Sequence, residues 1–87
     1  MDTSDPTIWR GARLAPLVQA LRPIFPASRP ANMANERNWR ILRAVVVDGL
    51  TYADTARTYG GGITQARVHQ IVAREGRKLL ASLIEQH

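Results

Sequence analysis

The sequence contains no cysteine, and this absence removes several classes of protein at once. Without thiols the chain cannot form disulfides, thiolate zinc sites, iron–sulfur clusters or a cysteine nucleophile. Two histidines, His69 and His87, are too few for a histidine metal site, so no metal or other cofactor is expected. No apolar run approaches the ~18 residues that span a membrane. The polar, acidic start is unlike a secretory signal, so we expect a cytoplasmic protein with no membrane partner.

Lysine is nearly absent as well, since Lys78 is the one lysine beside eleven arginines. Acidic residues are fewer than basic ones, and the 87-residue chain carries a formal net charge of +5. The planar fork of arginine matches phosphates and guanine edges better than an ammonium group does. A small, strongly basic domain therefore favours double-stranded DNA as its partner. The general use of arginine in place of lysine in GC-rich genomes is the alternative explanation.

Groupings typical of enzymes are missing too. The acidic residues Asp48, Asp54 and Glu75 lie near arginines, and they form no recognisable acid–base pair. No Ser-His-Asp or metal-ligand spacing is present. The glycines at 60–62 are not followed by the Gly-Lys-Ser/Thr of a phosphate-binding loop. We therefore expect a binding protein and not an enzyme.

Apolar residues recur at helical spacing and predict an all-α fold, a small helical domain of four to five helices. Residues 1–34 are interpreted as an N-terminal arm. Because Pro16 fits only the first turn of a helix, a turn at 7–14 and a helix at 15–22 are predicted, ending at Pro23. The proline-rich stretch from there to residue 34 is interpreted as a semi-rigid connector that holds the arm away from the rest.

Residues 35–87 form the second predicted unit, which has three helices. The first is capped by Asn35 or Asn32 and ends at Gly49. The second begins after Thr51 and runs to about Tyr59, with inward positions assigned to Ala53, Ala56, and Tyr59 or Tyr52. The third begins after Thr64 and runs for about twenty residues. The predicted core positions of the first and third helices are Trp39, Leu42, Val46, Leu50, Val68, Ile71, Val72, Leu79 and Leu83.

The segment from Leu50 to Leu80 has the order of a helix-turn-helix, which is a short helix, a glycine turn and a capped longer helix. The small residue Ala56 lies four positions before Gly60, where two such helices must cross closely. Gly76, inside the last helix, costs about 1 kcal/mol relative to alanine, which predicts either a close packing contact or a bend.

Residues 35–83 resemble region 4 of bacterial sigma-70 factors. The resemblance lies in Asn38–Gly60, in the stretch Ile63-Thr-Gln-Ala-Arg-Val-His-Gln-Ile, and in Arg77-Lys-Leu-Leu. Within it, the set Thr64, Arg67, Val68, Gln70 and Ile71 matches the recognition helix. The stretch Val46–Gly49 and the helices after it also resemble the small plasmid repressors of the KorA/TrfB kind. Both resemblances imply a DNA-binding helix-turn-helix whose long C-terminal helix is the recognition helix.

Two departures narrow what the resemblance implies. Gln65 and Ala66 stand where many primary sigma factors have arginine and glutamate, so the same promoter bases are not expected to be read. The turn carries two additional glycines, which would change the angle of the recognition helix. The regions that hold core polymerase are not matched, so the resemblance implies a stand-alone regulator, such as one from a plasmid or phage.

The helical wheel of the last helix then assigns roles to its side chains. The N-terminal half of a recognition helix enters the major groove, where side-chain amides pair with adenine and small apolar groups touch thymine methyls. The predicted base-reading residues are Gln65, Ala66, His69 and Gln70. The predicted phosphate contacts are Arg57, Thr64, Arg67, Arg74, Arg77 and Lys78. In the alternative interpretation this face is only solvated, and Arg67 pairs with Asp54 or Glu75.

The arm carries an apolar stripe that predicts a homodimer. One small DNA-binding domain makes few base contacts, so such proteins usually act as dimers. The predicted dimer interface consists of Trp9, Leu14, Leu17, Leu21 and Phe25. Alternatively, this stripe covers the open side of the three-helix core.

The leading functional hypothesis is a sequence-specific DNA-binding regulator of transcription, acting as a repressor. The alternative is a protein-interaction module that mimics sigma region 4 and contacts RNA polymerase or a sigma factor. An exposed apolar patch combined with weak, unspecific DNA binding would favour that alternative. A DNA-binding subunit of a phage packaging or recombination machine would share the same helices.

Overall fold

The computed structural model describes the backbone of residues 6–59 and 61–85 and the side chains of residues 14–59 and 61–85. Over these ranges the chain is all-helical, which confirms the predicted fold class. There are four α-helices: α1 (Pro6–Leu21), α2 (Glu36–Val46), α3 (Tyr52–Tyr59) and α4 (Gln65–Glu85). A short 3-10 turn, Arg22–Ile24, follows α1.

Local capping determines where α2, α3 and α4 begin. The side-chain oxygens of Asn35, Thr51 and Thr64 each accept a hydrogen bond from the backbone N–H three residues later, at 3.0–3.1 Å. These bonds satisfy N–H groups that have no partner inside the helix. At the end of α2, Gly49 adopts φ +71°, a left-handed conformation that glycine reaches without strain. The predicted N-caps and the length of α4 are confirmed, whereas α2 ends at Val46 with Val47 as its C-cap, two residues before Gly49.

The central helix of the fold is α2. Only its narrow stripe of Glu36, Arg37, Arg40 and Arg43 is exposed, and its other positions are buried. Leu42 and Val46 are fully buried, and they share one core with Val68 and Val72 of α4. This burial on three sides explains why the β-branched run from Val45 to Val47 belongs to a helix and its cap and not to a strand.

The inward face of α3 differs from the prediction. Thr55 is fully buried and donates its hydroxyl hydrogen to the Thr51 carbonyl oxygen at 2.8 Å. Ala56 lies against the core as predicted, but Ala53 is exposed. The sequence pattern missed Thr55 because its hydroxyl marks it as polar. A bond to a backbone carbonyl in the preceding turn satisfies that hydroxyl inside the core.

The predicted boundaries of the first helix were wrong. In the structure α1 is continuous from Pro6 to Leu21 and passes through Pro16, where a break into a turn and a shorter helix was expected. An interior proline removes a backbone hydrogen bond and costs about 3 kcal/mol. Leu14 and Leu21 lie on either side of Pro16 and are both buried, and their packing offsets this cost.

The arm is part of the core and is not held away from it. Leu14 and Leu21 are 1% and 0% exposed and pack with residues of α2 and α4, and Leu17 packs against the same cluster. Phe25 stacks on Trp39 of α2, with 4.8 Å between ring centroids. Four of the five residues predicted for a dimer interface therefore contact this chain's own core, as in the alternative interpretation. The fifth, Trp9, lies outside the side chains described.

The connector also folds onto the core. Met33 is 1% exposed and belongs to the core cluster, which the sequence pattern did not predict. Arg29 donates from Nη1 to the Met33 carbonyl oxygen at 2.8 Å. Arg22 donates from Nε to the Val46 carbonyl oxygen at 2.9 Å and joins the end of α1 to the end of α2. The proline-rich segment therefore covers the core between α1 and α2.

Gly76 marks a close contact between α4 and α1. A Cβ atom placed on it would lie 3.0 Å from Leu17 Cδ2 and 3.4 Å from Leu21 Cδ1. Of the two predictions for this glycine, the structure shows the packing contact. The absence of a side chain lets the backbone of α4 approach the leucines of α1.

Replacing Gly76 with valine is expected to lower the free energy of unfolding by about 1–3 kcal/mol, because a larger side chain overpacks this contact. In a double-mutant cycle measured by chemical denaturation, Leu17→Ala should recover part of that loss, because it removes the atoms nearest the new side chain. Strictly additive effects would show that the contact between α1 and α4 is absent in solution.

Candidate nucleic-acid interface

The open face of α4 carries the side chains predicted to read DNA. Ala66, Gln70 and Arg77 are exposed, and they lie on the side of the helix opposite the buried residues. The buried side consists of Val68, Ile71, Val72, Glu75, Gly76 and Leu79. The helical wheel deduced from the sequence therefore placed Ala66, Gln70 and Arg77 correctly. The exposed stripe presents short or amide side chains near the start of α4 and cations further along.

The start of α4 is exposed to solvent, and a capping hydrogen bond and the preceding turn determine its position. Thr64 is exposed, and its Oγ1 accepts from the Arg67 backbone N–H at 3.1 Å. In the turn before it, Gly61 and Gly62 have φ values of +55° and +104°. Residues with a side chain rarely adopt these conformations, so the glycines allow the sharp change of direction between α3 and α4.

Gln70 is held by a neighbour on the same helix. Arg67 donates from Nη1 to Gln70 Oε1 at 3.3 Å, and both side chains are exposed. The predicted alternative pairing of Arg67 was wrong, since Asp54 pairs with Arg57 and Glu75 with Arg74. A carbonyl oxygen has two acceptor sites, so Gln70 keeps one of them and both of its N–H donors for a base edge.

His69 does not lie on the open face with the other predicted base-reading residues. It is half-buried, and its ring meets the edge of the Tyr52 ring at a centroid distance of 5.4 Å. Its Nε2 atom is buried and has no hydrogen-bond partner among the described residues. This nitrogen does not face a base or a phosphate, and the ring packs against Tyr52 of α3. A contact between DNA and the rest of the His69 ring stays a prediction. Burial also raises the pKa of the Tyr52 phenol above its ordinary value.

The predicted phosphate contacts are all exposed. Arg57 pairs with Asp54 three residues earlier, and Arg74 Nε lies 3.2 Å from Glu75 Oε2. The pair of Arg57 with Asp54 is exposed and worth little, so a phosphate can compete for Arg57. Glu75 is buried, so Arg74 keeps its Nε bond to that carboxylate and offers a phosphate its two terminal nitrogens. Arg77 and Lys78 form no ion pair within residues 14–59 and 61–85. They are the two cations of α4 that are most available to an anion.

A groove beside the start of α4 was not predicted from the sequence. It lies where α1 passes the end of α2 and the loop before α3, and its volume is about 440 Å³. Its floor is apolar, and its rim carries polar side chains from three segments. The lining residues are Ala15, Val18, Gln19, Arg22, Val45, Leu50, Thr51, Tyr52 and Gln65. No short motif signals it, because the groove exists only through the packing of α1 on the other helices.

Other kinds of site are not found in the described part of the chain. Residues 14–59 and 61–85 contain no group of three or more His, Asp or Glu side chains placed to hold a metal ion. None of the four helices is both long and apolar enough to cross a bilayer.

Comparisons with family models, curated proteins and solved structures gave no significant match to this chain.

Proposed function

We propose that this chain is a sequence-specific DNA-binding protein that regulates transcription in the cytoplasm, acting as a repressor. The observation that carries the proposal is the open stripe of α4, where Ala66 and Gln70 are exposed near a capped helix start. An α-helix fits the major groove, and an amide side chain with a free acceptor and two donors can pair with adenine.

The charge around this stripe supports the same function. Arg67, Arg74 and Lys78 lie along one flank of α4, Arg77 lies on the stripe itself, and all four are exposed. Cations beside a reading face contact phosphates and hold the helix in register without reading sequence. The chain's net charge of +5 adds long-range attraction to a polyanion.

The role of α4 depends on the helices behind it. Its buried side packs on α2 and α3, and Gly76 brings it against α1. A helix held on three sides keeps its exposed side chains in fixed directions, which base readout requires. The same packing leaves the N-terminal half of α4 free to enter a groove.

Two copies of the chain would bind one DNA site together, because a single DNA-binding domain of this size makes few base contacts. The apolar stripe of α1 is not available to join them, since Leu14 and Leu21 are buried in the chain's own core. Two copies would then meet through another surface or through adjacent sites on the duplex.

The proposal predicts a strong dependence of DNA affinity on salt. Four to five phosphate contacts from the cations around α4 should give a slope of about −3.6 to −4.5 for log K against log salt, at −0.9 per contact. Fluorescence anisotropy with a labelled 20-base-pair duplex, titrated between 50 and 200 mM salt, measures this slope. A flat response, or no binding, would favour the alternative function as a module that contacts RNA polymerase or a sigma factor.

A further inference from the structure

The groove between α1 and the start of α4 has a chemistry suited to an anion. Three hydrogen-bonding side chains, Gln19, Arg22 and Thr51, lie on its rim with Gln65. The described residues line it with no carboxylate, although Asp54 follows Thr51 closely in sequence. An anion entering the groove therefore meets donors and one positive charge.

Arg22 is prepared for such a contact by the fold. Among the described hydrogen bonds it makes one, from Nε to the Val46 carbonyl oxygen at 2.9 Å. This bond fixes the plane of the guanidinium group, and the two terminal nitrogens keep their four N–H donors. A fixed guanidinium loses less conformational entropy on binding than a free one.

Thr51 supplies a donor from the loop before α3, across the groove from α1. Thr51 Oγ1 accepts from the Asp54 backbone N–H at 3.0 Å, so its hydroxyl hydrogen remains free to donate. Tyr52 also lines the groove and carries a neutral hydroxyl. The groove thus combines one cation with neutral donors, the set that phosphate oxygens accept from in protein–DNA interfaces.

The groove lies next to the proposed reading face of α4. Gln65 lines the groove and is also the first residue of α4, directly before the exposed Ala66. The groove is therefore continuous with the proposed reading face. It lies on the flank of α4 occupied by Gln65, while Arg67, Arg74 and Lys78 occupy the other flank.

We infer that this groove receives a backbone phosphate of the DNA strand that runs along the α1 side of α4. The inference rests on the proposed function. It adds a contact to the DNA strand on the α1 side of α4, whereas Arg67, Arg74 and Lys78 lie on the other side of that helix. The N-terminal arm then has two roles. Its apolar side closes the core, and its polar side, through Gln19 and Arg22, contacts the duplex that α4 reads.

A pair of charge variants on α1 tests the inference. Gln19→Arg adds a cation on the rim of the groove, whereas Ala20→Arg adds the same charge at an exposed position outside it. Gln19 is chosen over Arg22 because it makes no hydrogen bond among the described residues, and replacing Arg22 would remove the bond to Val46. Circular dichroism and thermal unfolding should show that both variants fold as the wild type does.

Gln19→Arg is expected to steepen the slope of log K against log salt by about 0.9, the contribution of one phosphate contact. Ala20→Arg should change the slope less, because successive side chains on a helix point about 100° apart and residue 20 lies outside the groove. Gln19→Glu should weaken binding about fourfold or more by repulsion from a phosphate at ~5 Å. Ala20→Glu is its matched control.

Equal effects of the substitutions at positions 19 and 20 would overturn the inference and leave the reading helix unaffected. A wild-type chain that binds no DNA would instead contradict the proposed function itself. A further check follows the backbone amides of residues 19, 22 and 65 by NMR during titration with the duplex, and separately with benzoate. Shifts caused by benzoate and not by the duplex would assign the groove to a small organic anion and overturn the phosphate contact.

Discussion

Replacing Leu21 with alanine is expected to lower the free energy of unfolding by about 2–5 kcal/mol. Leu21 is fully buried at the end of α1, in a core shared with α2 and α4. Truncation removes its apolar contacts and leaves a cavity beside Gly76, where the backbone of α4 offers no side chain to fill it. The total free energy of unfolding of a small domain is about 5–15 kcal/mol, so this one substitution removes a large share of the stability.

Chemical denaturation followed by circular dichroism measures this loss, and Ile24→Ala provides the control. Ile24 lies three residues further along and is 46% exposed, so its truncation should change the stability by less than about 0.5 kcal/mol. If Leu21→Ala lowered the free energy of unfolding as little as Ile24→Ala, α1 would not pack against the core in solution. The apolar stripe of the arm would then again be available to join two copies.

Replacing Gln70 with alanine is expected to weaken binding to the preferred duplex by about 1–3 kcal/mol and to relax the preference at one base pair. The exposed amide of Gln70 is held by Arg67 and points away from the core. Its loss removes a bidentate contact but leaves the cations around it in place. Affinity for random DNA should therefore change little, and competition titrations with preferred and random duplexes measure both effects.

Arg77→Ala is the matched comparison for Gln70→Ala, because both residues are exposed on the same stripe of α4. Loss of a phosphate contact should weaken binding to preferred and random duplexes alike and reduce the salt slope by about 0.9. If Gln70→Ala lowered both affinities and Arg77→Ala only the preferred one, the assignment of roles along α4 would be wrong.

The starts of α2, α3 and α4 were predictable because the signals are local. Asn35, Thr51 and Thr64 each cap the helix that follows, and this bond depends only on the next three residues. The rotation of α4 was also predictable, since its apolar residues repeat at a helical period. These three helices include most of the proposed interface.

The course of α1 was not predictable, because its stability comes from residues distant in sequence. A proline at position 16 argues locally against a continuous helix. Leu17 and Leu21 contact Gly76, which lies more than fifty residues later in the chain, and no local sequence pattern predicts such a contact. For the same reason the sequence left open whether the arm forms a dimer or covers the core.

The candidate site was predicted in part. Exposure of Gln65, Ala66 and Gln70 follows from the wheel of one helix. The half-burial of His69 does not follow from that wheel, because the ring that it packs against belongs to Tyr52 of another helix. The groove lined by Gln19 and Arg22 likewise requires the arrangement of α1 against α2 and α4.

Selection of bound duplexes from a pool of random sequence tests the central claim most directly. The full chain is incubated with the pool at about physiological salt, and the bound fraction is amplified and sequenced over several rounds. We predict enrichment of a defined sequence, repeated as two half-sites whose centres lie about 34–36 Å apart. A bound fraction with the same sequence distribution as the starting pool, from a chain that is folded and helical, would contradict sequence-specific reading by α4.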